Sequence, residues 1–140
     1  MDQIAFGLFD WVDRGQRPLH QLYEERLQLI EAADVAGFYS YHLAEHHATP
    51  LGMAPSPALF LAAAAQRTQK IRIGPLGYLL PLYSPLRLIE EICMLDISPM
   101  AVWIWVWTVA FPRTNWNSPE SIIIMREQFS TRAWRLSFRG

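Results

Sequence analysis

The stretch YHLAEHHATP, residues 41–50, holds the side chains best suited to chemistry. A carboxylate and two adjacent imidazoles, Glu45, His46 and His47, end an apolar run, with His42 just upstream. Three chemistries fit these residue types. A metal site would use His42 and His46, but residues four apart share a ligand only on a helix; on a strand they lie about 13 Å apart. No C-x-x-C or H-E-x-x-H supports a metal. Proton transfer suits an imidazole, whose ordinary pKa lies near neutrality. Adjacent residues of an extended chain point opposite ways, so one histidine would face a site while its neighbour braces the loop. Glu45 could orient an imidazole by hydrogen bonding. The third reading is a solvated loop with hydrogen-bonded histidines, and spacing alone leaves it open beside proton transfer.

The flanking elements must position this stretch. Ile4 to Phe9 predicts a short buried strand. DWVDRGQRP reads as a loop, broken by Gly15 and Pro18. Leu22, Leu27, Leu29, Ile30, Ala33 and Val35 recur at helical spacing, and Gly37 predicts the stop. FYSYHLA predicts a second strand and EHHATPLGMAPSP a loop. Ser56 suits an N-cap and Pro57 the first helical turn of ALFLAAAAQRTQ, a small-residue helix able to pack closely on a sheet. IRIGPLGYLL predicts a third strand, interrupted by Gly74, Pro75 and Gly77. Ser84-Pro85 repeats the cap-then-proline start before LRLIEEICMLD. The order β-α-β-α-β-α with short connections predicts an α/β fold with parallel strands, in a doubly wound sheet or a (β/α)₈ barrel. The nucleotide fingerprints G-x-G-x-x-G and G-x-x-x-x-G-K-[ST] are absent. The extended loop after the second strand favours the barrel, whose active sites lie at the C-terminal ends of the strands, where Glu45, His46 and His47 would sit.

A length of 140 residues, 51% hydrophobic, allows about one domain with a real core. The net charge of −1 gives no reason to expect a nucleic-acid or membrane partner. The single cysteine, Cys93, excludes an internal disulfide and reads as a small core residue of a helix. The N-terminus lacks the basic and apolar regions of a signal peptide, so a soluble cytoplasmic protein is the expectation.

These averages hide a seam. Residues 1–96 carry 7 Lys/Arg against 11 Asp/Glu; residues 97–140 carry 5 Arg against 2 Glu. All four histidines precede the seam and five of six tryptophans follow it.

The residues before the seam carry a resemblance. YHLAEHHATP, followed by APSPALFLAAAAQRTQKIRIGPLGYLLPLYSPLRLIEEICMLD, resembles the N-terminal part of the luciferase-like flavin monooxygenases, over about residues 3–96. The resemblance implies a partial (β/α)₈ TIM barrel, about the first three β/α units. It implies reduced flavin (FMN, with F420 as the alternative) used with O₂ to oxygenate a small organic substrate, in a family whose members are often dimers. It implies that His46 is the catalytic base near the flavin, with His47 and Glu45 as supports. Pro75, Leu76 and Gly77 would face the flavin ring, with an unusual cis peptide at Leu76-Gly77.

Beyond the seam the resemblance stops. The family continues with a glycine-bearing strand, typically L-S-x-G-R-L-x-L-G-x-G-R-G; this chain has ISPMAVWIWVWTVAFPRTNWNSPES. Read alone, the tail is a tryptophan-rich β segment, aggregation-prone when exposed, that could stand in for a fourth strand. Arg126, Arg132, Arg135 and Arg139 read as solvated, and Ile122 to Ile124 as strand or helix. Taking the last base of each codon with the first two of the next gives another account. Met100-Ala101 must then encode Gly, Trp103-Ile104 Asp, Trp105-Val106 Gly, Trp107-Thr108 Asp, Asn115-Trp116 Leu and Trp116-Asn117 Glu. The permitted codons spell L-S-D-G-R-L-D-L-G-V-D-R-G-V-S-P-Y-E, which is the family's own continuation. The expectation is two segments: 1–96, a luciferase-like barrel part, and 97–140, a frameshift-derived tail. The alternative to an enzyme is then a truncated product without activity.

Overall fold

The computed structural model describes residues 4–96 and, for the backbone alone, 102–103, 105–108 and 125–127. Strand β1 (Gly7–Asp10), helix α1 (Leu19–Val35), strand β2 (Ser40–Leu43), helix α2 (Pro57–Ala65) and strand β3 (Arg72–Pro75) follow in alternation. A short strand β4 (Tyr78–Leu79), a 3₁₀ turn (Leu80–Leu82) and helix α3 (Pro85–Asp96) complete the three β/α units. β1, β2 and β3 are parallel, with Leu8, Tyr41 and Ile73 in one row and Phe9, His42 and Gly74 in the next.

Alternation along each strand separates two faces. Tyr41, Leu43 and Ile73 are wholly buried on the face that meets the helices. They form one core with Leu22, Leu27 and Ile30 of α1, Phe60, Leu61 and Ala64 of α2, and Leu88, Ile92 and Leu95 of α3. The alanines of α2 let it lie close to β3 and between the other two helices. Cys93 is half-buried on α3. The opposite face carries Phe9, His42 and Gly74. The architecture is α/β with a parallel sheet covered by helices on one face, as in the opening units of a (β/α)₈ barrel.

The connections explain the boundaries. α1 begins three residues before the first apolar position of its helical repeat, because Pro18 fixes the extended entry and its carbonyl accepts the N–H groups of Gln21 (3.0 Å) and Leu22 (3.1 Å). Gly37 adopts φ +81° just past the end of α1, the left-handed conformation expected of a helix stop. Asp34, in the last turn of α1, accepts three N–H groups from the chain entering β3: Gln69 (2.8 Å), Lys70 (2.8 Å) and Ile71 (2.5 Å). Ser56 is the N-cap residue of α2 with Pro57 in its first turn, although the Ser56 hydroxyl makes no capping bond.

Three expectations need correction. Ile4 and Phe6 are 78% and 67% exposed, outside the strand rather than buried in it, because β1 is the edge of its sheet. The third strand is not continuous: it breaks after Pro75 and resumes as β4, which belongs to a second sheet. Pro75 lacks the N–H that would continue the ladder, and glycines lie on both sides of the break. No peptide bond among the described residues is cis, so the Leu76–Gly77 bond is trans.

The tail backbone forms strands β5 (Val102–Trp103), β6 (Trp105–Thr108) and β7 (Met125–Glu127). β5 pairs in parallel with β3, Arg72 opposite Val102, and so takes the place of a fourth strand; β6 pairs with β4 and with β7. Ile122 to Ile124 and Arg132, Arg135 and Arg139 lie outside the described residues. Among the described residues no helix is long and apolar enough to cross a membrane.

Candidate active site at the C-terminal ends of the strands

Parallel pairing brings the ends of β1, β2 and β3 to one edge of the sheet, and two loops meet there. Asp10, the last residue of β1, accepts the Val12 N–H on Oδ1 (2.9 Å) and the Tyr41 hydroxyl on Oδ2 (3.0 Å), with Arg26 Nε 3.7 Å from Oδ2. Burial, then the Asp10 charge, pushes the Tyr41 phenol well up, so it stays a donor. Val12 is wholly buried with φ +52°, a conformation that crowds a β-branched side chain. Its N–H is held by Asp10 and its carbonyl accepts the Met53 N–H (2.9 Å). The Arg14 N–H donates to the Pro50 carbonyl (2.9 Å), and the Tyr23 hydroxyl to the Met53 carbonyl. The β1–α1 and β2–α2 loops are therefore laced together.

This lacing sets His46. The Trp11 ring lies edge-to-face against Phe9 (centroids 4.8 Å apart) and against His46 (6.4 Å). Gly52, with φ +92°, closes the other side: a Cβ there would stand 2.6 Å from His46 Cβ. His46 is half-buried and makes no hydrogen bond among the described residues.

Glu45 and His47 turn the other way. The Glu45 side chain is 1% exposed and that of His47 41%. Glu45 Oε1 lies 2.7 Å from His47 Nε2, and Oε2 accepts the Leu79 N–H at 2.9 Å. Burial first, and then the Glu45 charge, pushes the Tyr83 phenol up. Tyr78 stacks edge-to-face on Tyr83 at 5.0 Å, and burial raises its phenol too, with Glu91 and Glu45 adding to it. Ala48, next after His47, has φ +52° and turns the chain away.

Glu45, His46 and His47 are thus gathered at one edge, with the two imidazoles in different surroundings. Pro75, Leu76 and Gly77 join them: the Leu76 N–H donates to the Leu43 carbonyl (2.8 Å), and Glu45 fixes Leu79 two residues beyond Gly77. Pro75 and Gly77 are buried and Leu76 is 39% exposed. Sequence reasoning missed Asp10, Trp11, Gly52 and Tyr83. Only Asp10 left a signal, a carboxylate ending an apolar run. Among the described residues no three His, Cys, Asp or Glu side chains stand where they could hold a metal ion.

The sequence family described as luciferase-like monooxygenase matches residues 4–98. An uncharacterized protein of Sinorhizobium fredii, y4wF, is 55% identical over 94 residues, which are 67% of this chain and 28% of that protein. The oxygenase component of the flavin-dependent trigonelline monooxygenase of Acinetobacter baylyi is 35% identical over 96 residues, 67% of this chain and 27% of that protein. Among solved structures, the oxygenating constituent of 3,6-diketocamphane monooxygenase from Pseudomonas putida, in complex with FMN, superposes with a TM-score of 0.67 at 27% identity. That superposition covers 72% of this chain and 28% of the other. The chain spans little more than a quarter of the length of these relatives. With this match over more than half its residues, the chain belongs to the luciferase-like monooxygenase family.

Proposed function

We propose that residues 1–96 form one side of a flavin-dependent oxidoreductase site of the monooxygenase type, using reduced FMN and O₂ on a small organic substrate. The observation that carries this reading is the Glu45 carboxylate, which ties the histidine pair to the chain leaving Pro75–Gly77 through His47 and Leu79. The residues present suit a flavin ring. Leu76, Phe9 and Trp11 offer apolar surface, 39%, 48% and 44% exposed, and His46 offers a polar edge beside them. When bound, reduced flavin supplies the electrons with which one atom of O₂ enters the substrate and the other leaves as water. The chain's own part is to orient the ring against residues 75–77, to exclude water with the Phe9–Trp11 wall, and to manage protons through residues 45–47. F420 is the alternative cofactor for the same surface. Cys93, the single cysteine, suits a reducing compartment and supports a cytoplasmic setting.

A second reading has its own support. The family match ends at residue 98, where the charge balance and tryptophan content change, and the shifted frame of the tail spells the family's continuation. On this reading the 140-residue chain is a frameshift product with little or no activity. Sequencing the nucleotides across the Asp96 codon tests the shift, and an intact frame there refutes it. Gel filtration after loading with FMN tests the site. The enzyme reading expects flavin to co-elute with the 140-residue chain, whereas the second reading expects it to co-elute only with the restored-frame protein.

A further inference from the structure

We propose that the inner face of β1, β2 and β3 is a docking surface for a second, different polypeptide that carries the later β/α units of such a barrel, and that Arg72 pairs there with a carboxylate of that polypeptide. The inference concerns the barrel and does not rest on the flavin reading. Alternation puts Gly7, Phe9, Ser40, His42, Arg72 and Gly74 on the face opposite the helices. In a closed barrel this face is packed core. Here Phe9 is 48% exposed, and Trp11 and Leu76, just past the strand ends, are 44% and 39% exposed. β1 is also an edge of its sheet, the place where a closing strand of a barrel pairs. The superposition on the FMN-bound diketocamphane enzyme accounts for only 28% of that protein, so the larger part of such a barrel is of the kind that would cover this face.

Charge chooses between a different chain and a second copy. None of these inner positions is acidic. The Arg72 guanidinium lies 4.2 Å over the Tyr39 ring, and its Nε is buried with no hydrogen bond. Among the described residues no carboxylate pairs with it. A buried guanidinium without an anion is costly, and an aromatic face offsets only part of that cost. Two copies packed by this face would each bring Arg72 to a surface with no carboxylate to receive it. The partner that fits presents apolar side chains over Phe9 and a carboxylate to Arg72.

Co-expression of the tagged 140-residue chain with the remainder of Sinorhizobium fredii y4wF, outside the 94 residues that match, tests this without flavin. The expected result is a one-to-one complex that survives affinity capture and gel filtration. Phe9→Asp abolishes it, whereas Leu86→Asp, on the exposed outer side of α3, leaves it intact. Arg72→Gln, which removes the charge without inverting it, weakens capture by at least about tenfold, as when a desolvated charge pair loses one partner. Arg72→Lys, which keeps the charge, weakens it less. Absence of a complex, or a complex kept in Phe9→Asp and lost in Leu86→Asp, overturns the docking surface. Equal capture by the parent and Arg72→Gln overturns the pairing. A dimer of the chain alone that Phe9→Asp breaks gives the face to a second copy and overturns the proposal.

Discussion

His46 has its place because position 52 has no side chain. Gly52 sits at φ +92°, and any Cβ there would meet His46 Cβ at 2.6 Å. Gly52→Ala carries two penalties, a left-handed backbone and a clash with a packed ring, together about 1–3 kcal/mol. Urea unfolding should show that loss, and ring NMR should show His46 displaced from Trp11. A variant as stable as the parent would mean that the loop relaxes freely. The local sequence shows part of this site and hides the rest. The E-H-H run is visible as a polar end to an apolar run, and so is the opposite facing of adjacent imidazoles. Their partners are not: Leu79 lies 34 residues from Glu45, and no spacing rule links them. Trp11 and Gly52 read locally as loop residues, and only tertiary contact gives them a role.

At the level of elements, Asp34 joins the end of α1 to the start of β3. A carboxylate in the last turn of a helix opposes the helix dipole. Burial also raises its pKa, but three backbone N–H bonds outweigh that and hold the carboxyl below its ordinary value. A depressed folded-state pKa gives stability that is present above the unfolded value, near 4, and lost as pH falls through the folded value. Asp34→Asn should therefore weaken folding at neutral pH by about 1–3 kcal/mol. The difference from the parent should shrink as pH drops below about 4. Denaturant midpoints across pH measure both, and a constant offset at every pH would contradict the role of the charge. The helices themselves are legible from apolar spacing, because each buries one stripe. The break in the third strand is only half legible. Gly74, Pro75 and Gly77 announce an interruption, but not that Tyr78–Leu79 resumes in another sheet. That assignment depends on a distant partner, β6, whose residues carry no facing pattern that specifies it.

Across the whole molecule the sheet has two edges to satisfy. β1 is one, with Ile4 and Phe6 exposed beside it. β3 would be the other, but Val102–Trp103 pairs along it in parallel. An open edge invites pairing with other chains, and this tail strand covers the β3 edge. Against it stands the composition of the tail: from Val102 to Trp107 every residue is aromatic or β-branched and none is charged, the pattern of an aggregation-prone segment. The balance decides what removing residues 97–140 does. The β3 edge is four residues long and bears Arg72, Gly74 and Pro75, all poor templates for further pairing. The hazard of the Trp-rich run is the larger, so the chain ending at Asp96 should give a higher soluble yield than the 140-residue chain. It should also keep its helical circular dichroism, since α1, α2 and α3 share one core within residues 4–96. Centrifuged lysates and far-UV spectra of the two chains measure this. A lower soluble yield or a loss of helix on truncation would instead make Val102–Trp103 a working fourth strand. The frameshift account of the tail would then have to explain why an unselected sequence stabilises the sheet.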